Sequence, residues 1–196
     1  MTELTTLAGI DFGAKLAGTT AMTILRDTKF QIYDCKKGDD ADAWILEQVK
    51  KLNIKIVFID APLSLPPAYF DDQAYEFFYR KADVALGAMS PMFLGGLTAR
   101  AMKMKRSLEA EHITVFETYP AALARELFPQ TKFYKKNILG FRKELRVKTK
   151  QLDLPAIPPC KTFHQVDSWL AWLSGYRHLT HQSILYGSKE EGQIFI

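Results

Sequence analysis

Four acidic residues stand where α/β chains build their sites. "LAGIDFG" brings Asp11 to the end of an apolar run, "IKIVFIDAPLSLPP" does the same for Asp60, and "ITVFETYP" for Glu117. A fourth acid, Asp167 in "TFHQVDSWLAWL", shares a helical face with Phe163 and Leu170, at the border of a buried side. In open α/β sheets, ligands bind beyond the carboxyl ends of the strands. If the three strands are parallel neighbours, their acids converge on one edge. Clustered carboxylates repel each other unless a cation neutralises them, and hard ions such as Mg²⁺ or Mn²⁺ prefer oxygen ligands. Such ions activate water and stabilise the leaving oxygen of a phosphodiester. Asp11, Asp60, Glu117 and Asp167 are therefore the candidate catalytic and metal-binding residues, with Mg²⁺ or Mn²⁺ as cofactor. Taken singly, each has a plainer reading. A strand-terminal acid is most often a cap or turn former, and Asp167 could simply pair with a nearby Lys or Arg.

The cations fit the same chemistry. The net charge is +4, but residues 132–150, "KFYKKNILGFRKELRVKTK", carry eight Lys or Arg against one Glu. Such a stretch is the footprint expected for a polyanion, although a solvated helix face explains it as well. Lys135, Lys136 and Arg142 lie in it. Together with Lys15, Arg80, Arg100 and Lys103 they are the candidate substrate-binding residues. In "YRKAD", Arg80 and Asp83 are three apart and can pair locally on a helix; alternatively Arg80 faces the acids and holds a phosphate. The cations of "LTARAMKMKR" suit a nucleic-acid backbone, which positions without reading sequence, although a solvated face explains them as well. Nucleic acid, DNA or RNA, is the expected partner.

Other residues carry weaker readings. Gly13 and Gly18 flank Lys15 in a "D-x-G" turn of the kind that cradles ATP phosphates in actin-like enzymes, but no Walker-type or "GxGxxG" motif is present. His178 and His181 lack a third ligand for zinc. His164 is one turn from Asp167 and could touch the site, though such a histidine is more often on the surface. Trp169 and Trp172 are expected to fill the core, the alternative being that they narrow the site.

The elements that must position these residues can be read from the pattern. Strands are expected over 6–12, 18–26 and 29–35 as a meander with "DT" at the second turn. A helix over 39–53, capped by Asp39 or Asp40, leads to a strand over 54–60, which is most easily parallel to an existing one. The spacing predicts helices over 71–89, with Tyr75, Phe78, Ala82, Ala85 and Leu86 on one side, and over 97–111. A strand over 112–117 and a short helix over 119–128 follow. The basic segment ends in a helix from about Phe141, and Thr162 with Gln165 starts the last helix, 162–179. "EGQIFI" adds a final short strand. The class is α/β: a single domain of 196 residues with a helical insertion about 68–111 and a basic segment about 132–150.

Composition agrees, with 47% hydrophobic and 24% charged residues. No apolar run approaches a membrane span. The first residues have no basic region before the first strand, which speaks against a signal peptide. Cys35 and Cys160 match no metal or redox spacing, so a reducing, cytoplasmic setting is expected. The oligomeric state is open, a homodimer being one option.

As a set, "GIDFGAKLAG", "FIDAPLSLP", "YRKADVALG", "PMFLGGLTARAMKM", "VFETYPAALAREL", "VDSWLAWLSGYRHL" and "EGQIFI" resemble an uncharacterised prokaryotic family of predicted nucleases with a ribonuclease H-like fold. The resemblance runs across nearly the whole chain. It implies a mixed sheet with a three-stranded antiparallel meander and parallel strands, flanked by helices. It also implies functional carboxylates at Asp11, Asp60, Glu117 and Asp167. One departure is "DSWLAWL", where the family has "DAL" and small residues. The leading expectation is a metal-dependent nuclease. The alternatives are a non-catalytic nucleic-acid-binding protein that keeps the fold, and an actin-like ATP-dependent phosphotransferase, for which the chain fits barely one lobe.

Overall fold

The computed structural model describes residues 3–196. Strands β1 (Leu7–Asp11), β2 (Ala21–Arg26) and β3 (Lys29–Asp34) form the antiparallel meander. Asp27 and Thr28 both take positive φ, 49° and 59°, the twist that a two-residue hairpin turn requires. Helix α1 (Ala41–Lys51) begins at Asp40, whose carboxylate accepts from the Asp42 and Ala43 amides. It leads into β4 (Ile56–Asp60), which lies parallel to β1.

The segment from β4 to β5 (Thr114–Thr118) holds three helices: α2 (Lys81–Leu86), α3 (Pro91–Leu94) and α4 (Gly96–Ala110). After β5 come α5 (Pro120–Leu127), α6 (Ile138–Gln151), α7 (Phe163–Leu179) and the hairpin β6 (Leu185–Ser188)–β7 (Gly192–Phe195). The sheet order is β3-β2-β1-β4-β5-β7-β6, with β1, β4, β5 and β7 parallel. This is the mixed sheet of an antiparallel meander and parallel strands, flanked by helices, that the sequence led us to expect. None of its helices is long and apolar enough to cross a membrane, among the described residues.

One expected helix is absent. Residues 70–80 are irregular, and only Lys81–Leu86 of the expected 71–89 is helical. Tyr75 and Phe78, expected on a buried side, are 87% and 52% exposed. The Glu76 carboxylate accepts from the Phe78 and Tyr79 amides, a local bond that competes with helix formation.

Alternation along the strands decides which face each acid meets. Ile10, Val57, Ile59 and Val115 pack in the core layer under α1 and α4. Leu7 and Phe58 pack in the opposite layer with Trp169, Trp172 and Leu173 of α7. Asp11 and Asp60 share parity with Leu7 and Phe58, so they face α7. They are also direct register partners.

Helix α7 lies unusually close to β1. A Cβ on Gly9 would stand 2.0 Å from the Trp172 amide nitrogen and 2.3 Å from the Ser168 carbonyl oxygen. Hydroxyl pairs Thr23–Ser168 at 2.7 Å and Thr118–Ser174 at 2.8 Å tie the helix to β2 and β5. Gly9→Ala is therefore expected to push α7 outward and cost about 3 kcal/mol, the upper end for overpacking. Urea denaturation measures this, and a variant as stable as the wild type would show that α7 tolerates displacement.

Candidate metal centre

Three of the four sequence-predicted acids meet. Carboxylate oxygens of Asp11, Asp60 and Asp167 lie within 4.8 Å of one another. Asp11 and Asp60 come from the ends of adjacent parallel strands, and Asp167 comes from the first turns of α7, held against β1 at Gly9. Each has a different local environment. Asp11 accepts from His164 Nδ1 at 2.8 Å. The fully buried Asp167 accepts from the Tyr134 hydroxyl at 2.7 Å and from the Lys135 ammonium. Asp60, half-buried between them, has no hydrogen bond or ion pair among the described residues.

The electrostatics follow from this crowding. Burial, then the charges of Asp11 and Asp167, push the Asp60 carboxyl well above the usual carboxylate range. Burial also lifts Asp167, to about 6, although Lys135 opposes the shift. The hydrogen bond to Asp11 raises His164, against partial burial. Burial works against the Lys135 charge, but the Asp167 carboxylate outweighs it and the ammonium is held. Lys135 takes a left-handed backbone conformation, φ 58°, to bring its side chain here.

This donor set fits a hard divalent cation. It is all oxygen from the three acids, it carries excess negative charge, and one carboxylate is unpartnered. A cation bound here would displace protons from Asp60 and Asp167, both of which are raised above the ordinary carboxylate range. Mn²⁺ affinity is therefore expected to rise with pH through about 6, with proton release at the acid end. Calorimetry at two pH values in buffers of different ionisation enthalpy checks both. Affinity that is flat across that window would remove the link to these acids.

Glu117 is placed differently from the expectation. Glu117 is the register partner of Ile59, one step before Asp60, and shares parity with Val115. It therefore leaves the sheet on the face opposite Asp11 and Asp60. Its carboxylate accepts from Arg80 at 2.6 and 2.8 Å and from the Leu63 amide at 2.8 Å.

Arg80, only 1% exposed, also spans Asp83 at 2.6 and 3.0 Å and donates to the Ser64 hydroxyl at 2.8 Å. All five guanidinium donors are engaged, so none is left for a phosphate. Of the two expected readings of Arg80, the local pair with Asp83 is present, and its remaining donors go to Glu117 and Ser64.

The other candidate cations divide into two groups. Lys15 pairs with Asp40 at 3.0 Å. Arg100 pairs with Asp42 at 2.6 Å, donates to the Gly13 carbonyl at 3.1 Å and lies over the Phe12 ring at 4.7 Å. Arg142 donates to the Cys160 carbonyl. Lys103 and Lys136 are exposed, with no ion pair among the described residues.

Gly13 and Gly18 have packing reasons of their own. Side chains there would meet Thr19 at 2.1 Å and the Lys37 backbone at 2.6 Å. Trp169 and Trp172 are fully buried against Phe30 and do not narrow the site.

Sequence reasoning left Tyr134 out of the site and gave His164 only a passing place in it. The spacing of His164 and Asp167, three apart on one helix face, was the available clue. Tyr134 and Lys135 arrive through a loop whose course no periodicity encodes.

Beside the triad opens a chamber of about 440 Å³. Asp11, Asp60, Lys135 and His164 line it together with Met89, Leu94 and Leu97, and Arg80 and Glu117 border it as well.

No protein-family model and no curated protein matches this chain. Among solved structures, that of Thermus thermophilus RuvC is similar, at 15% identity and a TM-score of 0.45, covering 90% of this chain and 96% of that one.

Proposed function

We propose that this protein is a divalent-metal-dependent phosphodiesterase acting on nucleic acid. The observation that carries the reading is the triad itself: three carboxylates from two strands and a helix, within 4.8 Å, one of them without a partner. A cation held there would neutralise a phosphodiester's charge and activate water. Asp11, Asp60 and Asp167 are the proposed ligands, and Mg²⁺ or Mn²⁺ the proposed ion.

The chain's own residues have separable roles. His164 orients Asp11, and Tyr134 orients Asp167. Hydrogen bonds of this kind to a ligand set fix its geometry. Lys135 balances the acids and stands ready to meet a phosphate oxygen, because half of its side chain remains exposed. The Arg80–Glu117–Asp83 cluster is a support beside the site, holding the loop after β4 through Ser64 and Leu63. The exposed cations of α6 suit a polyanion's path.

The test is cleavage of labelled DNA and RNA with Mn²⁺, Mg²⁺ or EDTA, with triad variants as controls. Metal-dependent cleavage lost in those variants supports the reading. Salt-sensitive binding with no turnover in any metal would instead favour a nucleic-acid-binding protein that keeps the fold.

A further inference from the structure

The segment between β4 and α4 exposes aromatic rings for which the triad has no use. Tyr69, Phe70, Phe77, Phe78 and Phe93 are 47–65% exposed, and Tyr75 is 87% exposed. The patch is organised. Tyr69 meets Phe77 at 6.1 Å between ring centroids, and Phe93 meets Phe78 at 5.8 Å and Tyr79 at 6.0 Å. The Glu76 bonds to the Phe78 and Tyr79 amides, and the Ser90 hydroxyl on the Phe78 carbonyl, hold the backbone that presents these rings.

Two features adjoin it. Leu94, next to Phe93, lines the chamber together with Asp11 and Asp60. Met92, on the other side of Phe93, lines a second groove with Leu65, Met102, Lys103 and Arg106. Both cations are exposed and have no ion pair among the described residues.

A duplex hides its base faces within the stack, whereas an unpaired strand offers them. Exposed rings beside uncommitted cations are what a single strand needs: stacking for its bases and charge for its backbone. We propose that the substrate is single-stranded nucleic acid, or the unpaired segment of a longer one. Its bases stack on the rings around Phe78 and Phe93, its backbone follows Lys103 and Arg106, and one phosphodiester reaches the chamber beside Asp11 and Asp60. The part played by the acids rests on the nuclease reading; the binding surface does not.

Fluorescence anisotropy in EDTA tests the surface without catalysis, using labelled single-stranded DNA, single-stranded RNA and matching duplexes. Either single strand should bind at least tenfold more tightly than its duplex. Phe93→Ala should weaken single-strand binding roughly tenfold, the order expected for one lost stacking contact, and leave duplex binding unchanged. Tyr75→Ala, at a ring too exposed to support the fold, should act in the same direction. Lys103→Ala should weaken both forms and flatten the salt dependence. Equal or tighter duplex binding, no binding of either form, or wild-type affinity in both ring variants would overturn the proposal. So would a dimer in sedimentation that Phe93→Ala dissociates, since the rings would then serve a second copy. Single-strand preference without cleavage in any metal would sink the nuclease reading alone, and cleavage with duplex preference would sink this one alone.

Discussion

Asp60→Asn is expected to abolish metal-dependent cleavage and, in EDTA, to raise the melting temperature. The two effects share one cause. Asp60 is crowded by Asp11 and Asp167 and has no hydrogen-bond or ion-pair partner among the described residues, so its ionised form is disfavoured in the fold. An acid raised in this way costs stability at every pH above the carboxyl's unfolded value, about 4, where the unfolded chain ionises freely. Asparagine carries no charge and removes that cost. It also removes the one carboxylate left free for a cation. The cleavage rate should fall on the order of a thousandfold, equivalent to about 4 kcal/mol. Added Mn²⁺ should then stabilise the wild type and leave the variant nearly unmoved in a thermal melt. A variant that melts no higher in EDTA, or that cleaves at the wild-type rate, would dissolve the link between the strained acid and the site.

Arg80→Ala is expected to be the most destabilising single change in the molecule's polar interior. The guanidinium bridges Glu117 on β5 and Asp83 on α2, and reaches Ser64 in the loop after β4. Deleting it leaves two buried carboxylates without a counter-charge, which costs about 3–5 kcal/mol. For a chain of this length the melting temperature should drop by roughly 10 °C. Arg80→Lys should recover little, since one ammonium cannot reproduce paired forks to two carboxylates. The penalty should shrink as the pH falls toward the carboxyl range, because protonated acids no longer need the partner. Burial already favours the protonated form of Glu117. Denaturation of both variants across pH measures this. A loss that does not vary with pH would point to packing in place of charge.

The parts of this molecule that were legible in its sequence are those governed by local periodicity and caps. The apolar runs ending in Asp11 and Asp60 gave two parallel strands, and Asp40 and Thr162 began the helices expected of them. The segment 71–89 failed for an identifiable reason. Helical periodicity assumes that the apolar side is buried, yet Tyr75, Phe77 and Phe78 face solvent. Glu117 shows a subtler limit. Its position at a strand's end was readable, but its face depends on register, and a single step exchanges one side of a sheet for the other. The left-handed turn at Lys135 that carries a cation into the triad is a tertiary contact with no repeating pattern behind it.

The contact at Gly9 has a consequence for how the site responds to change elsewhere. The strand that ends in Asp11 and the helix that carries Asp167 meet main chain against main chain there. Their spacing is thus set by van der Waals contact between the two backbones, not by the rotamer of any intervening side chain. The rings of Trp169 and Trp172 pack against Phe30. Changes in that packing are therefore expected to leave the gap between Asp11 and Asp167 nearly unchanged while Gly9 and the Thr23–Ser168 and Thr118–Ser174 pairs hold the helix.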